Sequence, residues 1–172
     1  PMRMHETRAL YAASQRQQGE GFEHILDLFA RGLEERGFRA VTMDMYIDLD
    51  ALPRFEGGHD GVFACRDYRE AAHAAGADVL IVAELRRHGT ICRYADLNNY
   101  EVEVYAEVSA EMIDGATNRV LWRTGAYDGY FSRVVKADCS RPDHVPDILD
   151  GLNALLAEAA RDLAGRFFAP AP

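Results

Sequence analysis

The chain has 172 residues, 48% of them hydrophobic and 10% aromatic, with 19 basic side chains against 28 acidic ones and a net charge of −9. This is too apolar for a disordered chain and long enough for one domain, 1–172, with a sizeable core. The acidic balance, with a pI near 5.1, argues against nucleic acid and against an anionic membrane surface, because both attract a positive field. No apolar run approaches the roughly 20 residues that a membrane-crossing helix needs.

Met2 to Leu10 reads as a short strand, and Ser14 to Gly19 as a polar loop. A helix follows from about Glu20 to Arg36, with Phe22, Ile25, Leu26, Phe29 and Leu33 recurring at three- and four-residue steps. Gly37 stands where a left-handed backbone closes a helix. From Val41 to Leu49 apolar and polar residues alternate as in a strand. A helix between two strands suggests a right-handed crossover with the strands parallel.

Residues 50–66 form a long loop with Pro53, Gly57, Gly58 and Gly61, of a length that is uncommon unless mobile or functional. Asp67 and Glu70 have the spacing of a capping box for a short helix, Tyr68 to Ala75, closed by Gly76. Asp78 to Leu85 is a strand apolar on both faces, hence central, and Arg86 to Asn99 is its extension and a hairpin loop. The clearest local pattern comes next. Val102, Val104, Ala106, Val108, Ala110 and Met112 alternate with Glu101, Glu103, Tyr105, Glu107, Ser109 and Glu111. Residues 114–118 turn the chain, and Arg119 to Phe131 returns antiparallel, placing Trp122 opposite Ala110 and Tyr105 opposite Tyr127. A last helix spans about Asp147 to Phe168, with a stripe of Ile148, Leu152, Leu155, Leu156, Ala159, Leu163 and Phe167, and Pro146 in its first turn. A short flexible tail, 169–172, ends the chain. The order β-α-β-α-β-β-β-α describes an α+β (mixed α/β) fold, a mixed sheet with helices mainly on one face.

Signatures for phosphate loops, dinucleotide binding, the nucleophile elbow and zincins are absent from the sequence. His59-Asp60 with Cys65 near a helix start is the best reactive constellation, since a helix N-terminus lowers a thiol pKa and His59 could act as base if the loop folds back. An unreactive surface loop is the simpler reading. Met2, Met4, His5, Met43 and Met45 could converge as soft Cu(I) ligands, but Met43 and Met45 share a face with Val41 and Ile47, as core residues do. No cofactor or metal is expected.

Glu101, Glu103, Glu107 and Glu111 share one strand face and must be wet or meet basic partners. Arg119 and Arg123 on the returning strand can offset them, and Tyr105, Tyr127 and Phe131 add flat contact area. A solvated sheet face is the plain reading of this row. The sharper one is a docking surface for another subunit or a cationic ligand, built on Glu101, Glu103, Tyr105, Glu107, Glu111, Arg123 and Tyr127.

Cys65, Cys92 and Cys139 are spaced too widely for a CxxC pair. In an exported chain one disulfide is expected, with Cys92–Cys139 the preferred pair because both sit in polar stretches beside strands; in the cytosol three thiols are the default. No signal peptide is visible at Pro1-Met2-Arg3, as would also hold for a chain trimmed of its targeting segment.

The segments Gly76-Ala77-Asp78-Val79-Leu80-Ile81-Val82 and Ala110-Glu111-Met112-Ile113-Asp114-Gly115-Ala116-Thr117-Asn118-Arg119-Val120-Leu121-Trp122, preceded by a helix ending in Arg36-Gly37-Phe38, form a pattern over about Phe22 to Phe168. It resembles bacterial periplasmic and outer-membrane lipoproteins of the broad CsgG, LpoB, PelC and TolB N-terminal-like group. The resemblance implies a periplasmic, outer-membrane-anchored lipoprotein whose leader and lipidated Cys are not in this chain. It implies action through protein contacts, with itself as a homo-oligomer or with export or cell-wall machinery, and no enzymatic activity. The chain departs from the pattern in its three internal cysteines and in showing no evident long membrane-inserting hairpin. The leading expectation is therefore a non-catalytic periplasmic module that assembles with itself or an envelope complex. A small-molecule or lipid-binding module, with a pocket lined by Phe55, Phe63 and Trp122, is the alternative; a thiol enzyme using Cys65 and His59 is the third.

Overall fold

The computed structural model describes residues 24–41, 51–57, 61–96, 99–125 and 128–169. The expected strands over 2–10 and 41–49, apart from Val41, lie outside them, as do the methionine cluster, His59 and Tyr127. Within the described residues the elements run α1 (His24–Glu34), α2 (Arg69–Ala75), β1 (Val79–Asp96), β2 (Asn99–Asp114), β3 (Val120–Arg123), β4 (Tyr130–Val135), a 3-10 turn (Pro142–His144) and α3 (Val145–Phe168). The α+β class holds.

The alternation in 102–112 folds as a strand, and β2 is the centre of a four-stranded antiparallel sheet. On one side it pairs with β1 along its whole length, from Val79 opposite Asp114 to Asp96 opposite Asn99. The expected strand extension after Leu85 runs to Asp96, and β2 already begins at Asn99. A bulge at Arg86 shifts the alternation by one residue. As a result Ile81, Ala83 and Leu85, and beyond the bulge His88, Thr90 and Cys92, share the face of Val102 to Ala110.

That face is roofed by α3. Ile148, Leu152, Leu155 and Leu156 pack on Val102, Val104 and Ala106, while Ala159, Ala160 and Leu163 meet Val108 and Ala110. Each leucine so buried contributes about 1.5–3 kcal/mol. Helix α1 extends the second cluster with Ile25 and Phe29, the latter edge-on to Phe167 at 5.0 Å between ring centroids. Its buried stripe is Ile25, Phe29 and Gly32, with Leu26 left exposed. Gly37 takes the left-handed conformation expected of it, at φ 83°.

The returning segment departs from one continuous strand. Its first part, β3, pairs at the turn end of β2, with Trp122 opposite Met112 rather than Ala110, and a bulge at Leu121 moves the register. Thr124 then occupies the place beside Ala110. Its hydroxyl donates to the Ala110 carbonyl at 3.1 Å and accepts from the Ala110 N–H at 2.9 Å. This side-chain bridge ends the ladder. Pairing resumes at β4, where Tyr105 lies opposite Ser132 rather than Tyr127. The rejoining point is Gly129, whose carbonyl accepts from Val108 N at 2.8 Å; a Cβ there would strike the Val108 carbonyl. The shifted Trp122 packs on Phe167, at 5.0 Å between ring centroids, and not on Leu152 and Leu155.

Among the described residues, the opposite face is covered at one end only. Ala64, Tyr68 and Ala72, from the loop and α2, close over Leu80 and Ile113. The helices therefore lie mainly, but not wholly, on one face. Asp67 does not form a capping box; its carboxylate accepts from Arg69 N and binds the Arg69 guanidinium.

Candidate interaction surface

Beyond the cover of the loop and α2, the second face carries three rows. Residues opposite one another across an antiparallel ladder project to the same side. The rows are Ile91–Glu103–Val134, Gly89–Tyr105–Ser132 and Arg87–Glu107–Tyr130. Ile91, Tyr130 and Val134 are 39%, 54% and 57% exposed, unusual for large apolar side chains on one patch. Tyr105 and Tyr130 stack with ring planes 18° apart and centroids at 6.4 Å.

The row of carboxylates is largely neutralised, and mostly from a strand that periodicity does not flag. Arg87 pairs with Glu107 at 2.5 Å, and Arg93 pairs with Glu103. Both arginines come from β1. Arg123, on the returning strand, pairs with Glu111 at 2.8 Å, whereas Arg119 lies before β3, its backbone bridged to Phe63 and its charge acting on Asp114. Glu101, exposed, lies opposite Arg93 in the register. The surface is consequently not a strong anionic patch for a cation. It is an apolar and aromatic strip edged by ion pairs, each exposed pair worth roughly 0–1 kcal/mol. Glu111 and Arg123 sit at its boundary with the roofed end. There burial, with the negative charges of Glu111 and Glu84, pushes the Tyr68 phenol up to about 12.

The loop beside this surface is stitched down. Phe55 N donates to the Cys65 carbonyl, Asp67 N to Pro53, and Val120 N to Val62. Asn118 anchors it with its side chain fully buried and its backbone left-handed at φ 62°. Its Oδ1 accepts from Tyr68 N at 3.0 Å, and its Nδ2 donates to the Arg66 carbonyl at 2.8 Å. Ala64 N returns a bond to the Asn118 carbonyl at 3.0 Å. An Asn in a turn signals left-handed backbone, but nothing local announces that its amide will hold a segment some 50 residues away.

The other expected constellations fare differently. Phe55 and Phe63 pack on each other at 5.4 Å, with Arg69 over the Phe55 ring, while Trp122 joins Phe167 on the α3 side of the sheet. The three do not line one cavity among the described residues. A shallow groove of about 310 Å³ instead runs along Trp122, Arg123, Thr124, Asp128 and Arg166. Cys65 is exposed, and no group of three or more His, Cys, Asp or Glu among the described residues could hold a metal. Cys92 and Cys139 do come together. Cys92 lies within β1 on the core face rather than in a loop, Cys139 follows β4, and both pack against the Val102–Ile148 cluster. Burial first, and hydrogen-bonding contact with Cys139 second, push the Cys92 thiol up to about 12.

No known protein family matches the chain, and no curated protein matches it. Among solved structures it is similar to a putative lipoprotein from Caulobacter crescentus, at 20% identity and a TM-score of 0.38, over 55% of this chain and 72% of that one. No helix among the described residues is long and apolar enough to cross a membrane.

Proposed function

We propose that the chain is a non-catalytic assembly module of the bacterial cell envelope, of the CsgG, LpoB, PelC and TolB N-terminal-like lipoprotein kind. It joins a second copy of itself or a protein of an export or cell-wall complex through the open half of its second sheet face. One observation carries this reading. Ile91, Tyr130 and Val134 are exposed, with half-buried Tyr105 between them, among carboxylates already paired with arginines. Aromatic and aliphatic side chains ringed by satisfied polar groups are what a protein interface uses, because apolar contact drives association while the rim needs little desolvation. Tyr105, Glu103 and Glu107 of the originally singled-out residues fall in the strip; Glu111 and Arg123 border it.

The test is sedimentation of the purified protein alone and with solubilised envelope proteins, for wild type and for the double variant Ile91→Asp/Val134→Asp. Self-association, or co-sedimentation with a defined envelope complex, is expected for wild type and lost in the variant at unchanged melting temperature. A wild-type monomer that joins no envelope complex, or assembly indifferent to the two substitutions, overturns the proposal.

A further inference from the structure

We infer that Cys92 and Cys139 are a disulfide-forming pair that locks the far half of β1 to the segment leading into α3. The inference is independent of the docking strip, which lies on the other face of the sheet. Three observations converge on it. The Arg86 bulge turns Cys92 toward the α3 face, opposite Val102. Val102 in turn pairs with Val135 on β4, and the chain reaches Cys139 just after Ala137 enters the same buried cluster. Both thiols pack on that same cluster, each half-buried, and Cys139 is near enough to help raise the Cys92 thiol. The two cysteines thus approach the same cluster from the two sides of β2, Cys92 on β1 and Cys139 just past the end of β4. Cys65, exposed in the stitched loop, is placed elsewhere.

The reaction needs an oxidant, which a small-molecule disulfide such as oxidised glutathione supplies. One cysteine, as thiolate, attacks a glutathione sulfur, forming a mixed disulfide and releasing one glutathione thiolate. The second cysteine then attacks the protein sulfur of that mixed disulfide and expels the other glutathione. The protein loses two protons and two electrons, and the oxidant gains them as two glutathione thiols. Burial keeps the Cys92 thiol protonated, so whichever step Cys92 makes is the slower one and speeds up under alkaline conditions. The bridge closes a loop of about 50 residues across the core, where cross-linking restricts the unfolded chain strongly.

The experiment incubates the folded protein with oxidised glutathione at pH 8.5, then alkylates it, weighs it and maps its peptides without reduction. Expected is a single internal disulfide joining the Cys92 and Cys139 peptides, with Cys65 alkylated or glutathionylated. The melting temperature should rise by about 10 °C over the reduced protein. Cys65→Ser retains the bridge and the shift; Cys139→Ser loses both while melting as reduced wild type does. A bridge involving Cys65, or mixed glutathione adducts on Cys92 and Cys139 that never resolve, overturns the inference. Because the peptide map is read on wild type, a variant that fails to fold leaves the test intact.

Discussion

A buried asparagine amide has four hydrogen-bonding opportunities, and Asn118 spends its acceptor and a donor on backbone groups of another segment. Removing them leaves the Tyr68 N–H and Arg66 carbonyl unsatisfied in a dry place, at about 1–3 kcal/mol for each buried group. Asn118→Ala is therefore expected to lower stability by roughly 3 kcal/mol in urea titration, adding strain at a positive φ. Asn118→Gly removes that strain and recovers about 1 kcal/mol. Equal midpoints for all three proteins would show the latch to be idle. Titration acts at the same scale. Asp67, Asp114, Asp138 and Asp143 are held below 3.8 by hydrogen bonds from Arg69, Thr117, Ser140 and Arg141 respectively. Their folded values are depressed, so their contribution is present above 3.8 and fades as pH falls through and below it. All four are near the surface and their share is small. Cys92 and Tyr68 have the opposite sign. Raised to about 12 from 9.0 and 10.0, they contribute fully below the lower values and lose that contribution as pH rises toward 12. Melting temperature followed from pH 8 to 11 should begin to fall near 9 in the reduced protein, and nearer 10 in Cys92→Ser. A flat profile across that range contradicts the burial of both groups.

Among elements, α3 supports both halves of the sheet, because its stripe contributes to two clusters on the same face. Leu156, 1% exposed, lies close to the junction between them. Leu156→Ala is expected to cost about 2–5 kcal/mol, seen as an earlier cooperative unfolding transition, whereas Ala154→Ser on the exposed side should change stability by less than 0.5 kcal/mol. This stripe was legible from sequence, as was the alternation of β2, because each follows a fixed period over enough residues to be counted. What escaped was aperiodic. The bulge at Arg86 reverses which β1 residues face inward. Thr124 adds a hydroxyl to its backbone bond with Ala110, and the register of Trp122 slips by two. Arg87 and Arg93 went unnoticed as partners of the carboxylates for the same reason. They fall in a polar stretch read as strand extension and hairpin loop, and only the register aligns them with Glu107 and Glu103.

At the scale of the molecule, the described residues enclose the sheet on both faces at one end and on one face at the other. The turn end of β2 lies between α3's neighbours and the Ala64–Tyr68–Ala72 cover, while the opposite half keeps an exposed strip beside its ion pairs. Two strands of 18 and 16 residues run through both environments. Their amides should therefore not exchange with deuterium at one common rate. Protons on Leu80, Val82 and Ile113 should wait for global unfolding, whereas those on Ile91 and Glu103 should escape through local fraying that leaves the rest of the ladder intact. A partner seated on the strip would slow the second set and leave the first unmoved, so a single exchange map reads both the internal gradient and the place where another protein lands.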